Sequence, residues 1–65
     1  MNNLKKLRLT AGLSQRQLAE RTGLSPSTIA KLESGERDIM QASMVTISLL
    51  CLALKCSPED LVENN

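Results

Sequence analysis

The chain has 65 residues, with eight basic and seven acidic side chains, 42% hydrophobic residues, and neither histidine nor any aromatic residue. This length allows one domain with a modest aliphatic core, near the lower limit for independent folding, and the lack of aromatic residues favours helices over strands. No apolar run reaches the roughly 18 residues of a membrane span and no signal peptide begins the chain, so we expect a cytoplasmic protein without membrane contact.

The charges are unevenly distributed along the chain. Residues 1–37 carry seven basic and three acidic side chains, a net charge of +4, whereas residues 38–65 carry a net charge of −3. This polarity is typical of a protein that turns a basic surface towards a polyanion, although other small domains share it.

Two helices are predicted in the first third of the chain. The first runs from about Asn3 to Ala11 and stops at Gly12. The second begins at Ser14, which forms a capping box with Gln17, and it ends at Gly23.

The third helix has a clear start, with Ser25 as the N-cap and Pro26 at the first helical position, and it closes at Gly35. Residues 36–42 lack a helical pattern and form a connection. A fourth helix covers about Ser43 to Lys55, and a short fifth helix follows, opened by Ser57-Pro58-Glu59-Asp60. The fold class is therefore all-α, with five helices in one domain over residues 1–65.

The second and third helices have the spacing of a helix-turn-helix over about residues 14–34, with Gly23-Leu24-Ser25 between them. Ala19 is small because the third helix crosses close to the second, and Ile29 and Leu32 anchor the third helix to the core. Its other side presents polar groups that can contact bases or phosphates, namely Ser25, Ser27, Thr28 and Lys31.

These segments resemble the phage-repressor-type (Cro/repressor, or XRE) helix-turn-helix family. The matching segments are Leu4–Arg8, Gly12–Ala19, Gly23–Gly35, Ala53-Leu54 and Ser57–Leu61. The resemblance implies a compact, lambda-repressor-like domain. Its expected function is sequence-specific binding of double-stranded DNA, as a transcriptional repressor that inserts its third helix into the major groove. A homodimer would then bind a pseudo-palindromic operator.

The resemblance also implies roles for single residues. Gln15 matches a glutamine that touches the DNA backbone and braces the recognition helix, and Arg8 and Glu33 match an internal ion pair. The expected DNA-binding residues are Gln15, Ser25, Pro26, Ser27, Thr28, Lys31 and Arg37.

Several of these residues have a simpler interpretation as well. The Ser25 hydroxyl could be fully used as a helix cap, Ser27 and Thr28 could be solvated helix residues, and Lys31 could be an ordinary surface lysine.

The fourth helix is apolar almost all round. Ile47, Leu50, Cys51 and Leu54 form the expected core stripe, while Val45, Leu49 and Leu52 form a second one. We expect the second stripe to be a homodimer contact. The alternative is that the connection, through Ile39 and Met40, folds back and covers it.

Other functions receive less support from the sequence. An enzyme is not expected, since there is no histidine, no cysteine near a base and no phosphate-binding glycine loop. Cys51 and Cys56, five residues apart in a helical stretch, are expected to point to different faces as buried structural thiols. Neither a disulfide nor a metal site is predicted from them, and no cofactor is predicted. The main alternative is a protein-interaction module, such as the antitoxin of a toxin–antitoxin pair, whose apolar patch binds a second protein.

Overall fold

A computed structural model describes residues 2–62 of the protein. The elements are α1 (Leu4–Thr10), α2 (Gln15–Thr22), α3 (Pro26–Ser34), a 3₁₀ turn (Ile39–Gln41), α4 (Met44–Leu54) and α5 (Pro58–Val62). The all-α architecture is confirmed, and the helix boundaries agree with the predicted ones to within about one residue. Within residues 2–62, no helix is long and apolar enough to cross a bilayer.

The helix ends show the predicted capping chemistry. The Ser14 hydroxyl accepts from the backbone N–H of Gln17 at 3.0 Å, and the Gln17 side chain accepts from the N–H of Ser14 at 2.8 Å. Gly23, which separates α2 from α3, has a φ of 77°, a conformation that other residues adopt only with strain. The left-handed backbone of Gly23 therefore turns the chain between α2 and α3.

The core is one cluster of aliphatic side chains to which every helix contributes. Burial of each leucine or isoleucine in this cluster stabilises the fold by about 1.5–3 kcal/mol. Ala19 of α2 is buried, and α2 packs against α3. The largest fully buried side chains are Leu4, Leu18, Ile29, Leu32, Leu50 and Leu61.

The connection between α3 and α4 contains a 3₁₀ turn that the sequence pattern did not predict. Asp38 caps this turn by accepting from the N–H of Met40 at 2.9 Å, and Ile39 enters the core with only 3% of its surface exposed. The neighbouring Met40 is 69% exposed. The connection therefore anchors itself in the core and leaves Val45 and Leu52 of α4 exposed, so the alternative in which it covers them is wrong.

The expectation that the two cysteines point to different faces is also wrong. It assumed a continuous helix, but α4 ends at Leu54 and Lys55 adopts a left-handed conformation with a φ of 53°. The chain reverses there, and the N–H of Cys56 donates to the carbonyl of Cys51 at 3.1 Å. Both thiols are free, with Cys51 buried and Cys56 half-buried.

Candidate nucleic-acid interface

α3 has one buried side and one exposed side. Ile29 and Leu32 are buried against the core, whereas Ser27 and Lys31 face solvent. Pro26, at the start of the helix, is exposed as well. This leaves hydroxyl and ammonium donors free along a helix whose opposite side is fixed by packing.

Ser25 and Thr28 are engaged with one another at the start of α3. The Ser25 hydroxyl accepts from the N–H of Thr28 at 3.1 Å, and the two hydroxyl oxygens are 2.9 Å apart. The Ser25 hydroxyl oxygen therefore caps α3 and also lies at the exposed surface, so capping alone does not exclude a contact with DNA. Only one hydroxyl hydrogen of the pair is left to donate to a ligand.

A buried ion pair holds the other end of α3. The Nε and Nη2 of Arg8 donate to the two carboxylate oxygens of Glu33, and Nη1 donates to the carbonyl of Leu13 at 2.7 Å. The side chains of Arg8 and Glu33 are only 8% and 4% exposed. The structure thus brings these two residues together and uses the Arg8 guanidinium in contacts within the chain.

Gln15 joins the same network from the start of α2. Its side-chain Nε2 donates to Oε1 of Glu33 at 3.0 Å. An amide nitrogen carries two hydrogens, so the second remains available for a phosphate oxygen. Gln15 thus braces α3 through Glu33.

A groove of about 350 Å³ runs between α3 and the start of α4. Thr28 lines one side, and Arg37 lies in the connection, where its N–H donates to the carbonyl of Lys31 at 3.1 Å. Sequence reasoning did not identify the polar residues on the other side, because only the tertiary fold brings them to α3. These residues are Gln41, Ser43 and Thr46.

The outer side of α4 forms an exposed apolar patch, which we call the α4 surface and define as Val45, Leu49 and Leu52. Val45 is 69% exposed, Leu52 is 78% exposed, and Leu49 is half-buried. Met44, 74% exposed at the start of the helix, was not part of the predicted stripe.

The comparisons with known proteins agree with this geometry. The helix-turn-helix family profile matches residues 4–61, and the chain therefore belongs to the helix-turn-helix family. It is a DNA-binding transcriptional regulator of the XRE type.

Among solved structures, the chain is similar to the restriction-modification controller protein C.AhdI from Aeromonas hydrophila. The two are 38% identical, the match covers 88% of this chain and 82% of that chain, and the TM-score is 0.77. A search of curated protein sequences found no match.

Proposed function

We propose that residues 1–65 act as one sequence-specific DNA-binding unit that inserts α3 into the major groove. Ser27, Thr28 and Lys31 then face base edges, with Ser25 and Pro26 at the front of the helix. Gln15 and Arg37 hold phosphates on either side of α3. No cofactor or catalytic step is part of this function, and we place it in the cytoplasm, on operator DNA.

The observation that carries this proposal is the way in which α3 is held. Ile29 and Leu32 fix its inner side by packing, and Glu33 fixes its end through two partners from other helices. Exposed Ser27 and Lys31 are therefore presented by a rigid element, which is what base recognition needs. The buried ion pair between Arg8 and Glu33 ties the end of α3 to α1, which restricts the movement of α3.

We also propose that two copies pair through the α4 surface. Thr46 lines the groove beside α3, and Val45 precedes it by one residue, or about 100° of helix rotation. The α4 surface therefore lies on the side of α4 that faces away from the core, next to the proposed DNA-facing side of the protein. Two-fold pairing on this surface can present both copies of α3 to one side of a duplex, at half-sites about one helical turn apart.

Dimerisation would also raise the affinity for DNA. A single module with few phosphate contacts binds DNA weakly, and linking two modules raises the affinity without new contacts. Repression follows if the bound dimer blocks a promoter. Because the structural neighbour is a restriction-modification controller protein, genes of such a system are the first targets to test.

The test is in vitro selection from random duplex DNA at about 0.15 M salt, where non-specific binding is reduced. We expect enrichment of two inverted half-sites with one fixed spacing. Enrichment of single half-sites would contradict pairing while leaving the recognition helix in place. No enrichment at all would contradict sequence-specific binding.

A further inference from the structure

The two cysteines meet at the C-terminal end of α4. The N–H groups of Lys55 and Cys56 both donate to the carbonyl of Cys51, so the chain turns back over the last turn of the helix. In this type of helix end, the side chain after the left-handed residue frequently contacts the side chain five positions before it, and here the side chains of Cys56 and Cys51 interact. Cys51 belongs to the core cluster, and Cys56 packs against that cluster.

The environment keeps Cys56 in the thiol form at neutral pH. Burial raises the pKa of the Cys56 thiol to about 11, and the neighbouring Cys51 and then Asp60 of α5 add to the effect. Cys56 remains half-exposed, whereas Cys51 is buried. One thiol of the pair can therefore meet an oxidant from solvent, and the other can react only with its neighbour.

We propose that Cys51 and Cys56 are a redox-active dithiol that a low-molecular-weight disulfide oxidises to an intrachain bond across the end of α4. The minor thiolate fraction of Cys56, which grows with pH, attacks the small disulfide, breaks its S–S bond and releases one thiolate, leaving a mixed disulfide. The Cys51 sulfur then attacks the Cys56 sulfur and displaces the second small thiol. Two protein thiols are oxidised, one disulfide is reduced to two thiols, and the two protons pass to the released thiolates.

The bond would act as a lock on the turn between α4 and α5. A disulfide needs two cysteines close together, and the chain reversal at Lys55 places the Cys56 thiol beside that of Cys51. Closing this short loop removes freedom from the unfolded chain and stabilises the folded one. The lock is separate from the proposed DNA interface, since the expected DNA contacts lie on α2, α3 and the connection that follows.

The test exposes the full chain to oxidised glutathione at a mildly alkaline pH, which raises the thiolate fraction. We expect both thiols to disappear from a titration in denaturant, the mass to fall by two hydrogens, and no covalent dimer to form. The melting temperature should rise by roughly 5–15 °C and return after reduction.

Two variants separate the steps. Cys51→Ala lacks the second thiol and should accumulate a stable glutathione adduct at Cys56, whereas Cys56→Ser should retain its one thiol and show no rise in melting temperature. Circular dichroism confirms that each variant folds. A persistent glutathione adduct on the wild type, disulfide-linked dimers, or two unreacted thiols under conditions that oxidise the denatured chain would overturn the proposal.

Discussion

The helix-turn-helix region and the α4 surface are built in opposite ways. Behind α3, polar groups from three helices satisfy one another, as Arg8, Gln15 and Glu33 show. On α4, aliphatic side chains face solvent instead, with Leu52 78% exposed. In the first region, the polar side chains behind α3 find their partners within one chain. The second region exposes apolar side chains of the kind that a partner surface usually covers.

This difference separates the way in which α3 is held from the exposed apolar side of α4. Within residues 2–62, every buried side-chain nitrogen or oxygen has a hydrogen-bond partner, including those that hold α3. The apolar side chains of α4 exceed what the core of one chain can bury. We infer that α3 determines which DNA is bound, and that α4 determines how two such helices are joined.

Removing the Glu33 carboxylate should have the largest effect on the first region. Glu33→Ala leaves the buried guanidinium of Arg8 without its charged partner, and we expect a loss of about 3–5 kcal/mol in the free energy of unfolding. Urea denaturation measures this loss. Glu36→Ala is the matched control, because Glu36 is exposed and its removal should change stability by less than about 0.5 kcal/mol. Equal losses in both variants would show that the ion pair does not hold α3.

Truncating Lys31 should impair DNA binding and leave the fold intact. Lys31 is exposed on α3, so Lys31→Ala should cost about 1–3 kcal/mol of discrimination at one base position if it reads a base. Competition binding against single-base operator variants measures this preference. Lys5→Ala, on the exposed side of α1, serves as the control and should leave the preference unchanged. A uniform loss on all DNA sequences would assign Lys31 to a phosphate instead.

The two N-cap serines should give smaller and contrasting effects. Ser25→Ala and Ser43→Ala each remove a hydroxyl that accepts a backbone N–H, at 3.1 Å in both cases, and each should cost about 1 kcal/mol of stability. Only Ser25→Ala should also weaken DNA binding, because it loosens the first turn of α3. Thermal unfolding and DNA titration on the same samples check this. Equal losses of DNA affinity would mean that the start of α4 contacts DNA too.

The sequence predicted features that depend on neighbouring residues. Ser14, Ser25 and Pro26 define helix starts by hydrogen bonding and backbone geometry within one turn, so the boundaries of α2 and α3 followed from them. The family resemblance added the pairing of Arg8 with Glu33, which no local pattern predicts.

Features that depend on the tertiary fold escaped sequence reasoning. The 3₁₀ turn at Ile39–Gln41 is too short to produce a periodic pattern. The reversal at Lys55 uses a left-handed conformation at a residue that does not signal it, so the contact between Cys51 and Cys56 was missed. The resemblance implied that Gln15 braces α3, but its partner Glu33 lies 18 residues away, and only the assembled helices bring the two together.

Sedimentation equilibrium tests the central claim about α4 most directly. It should compare the wild type, Leu49→Glu with Leu52→Glu, and the control Leu9→Glu, which places a charge on an exposed leucine of α1 that is 58% exposed. We expect the wild type and the control to sediment as dimers, and the double variant to sediment as a folded monomer. A wild type that stays monomeric at every concentration, or a folded double variant that stays dimeric, would contradict the account.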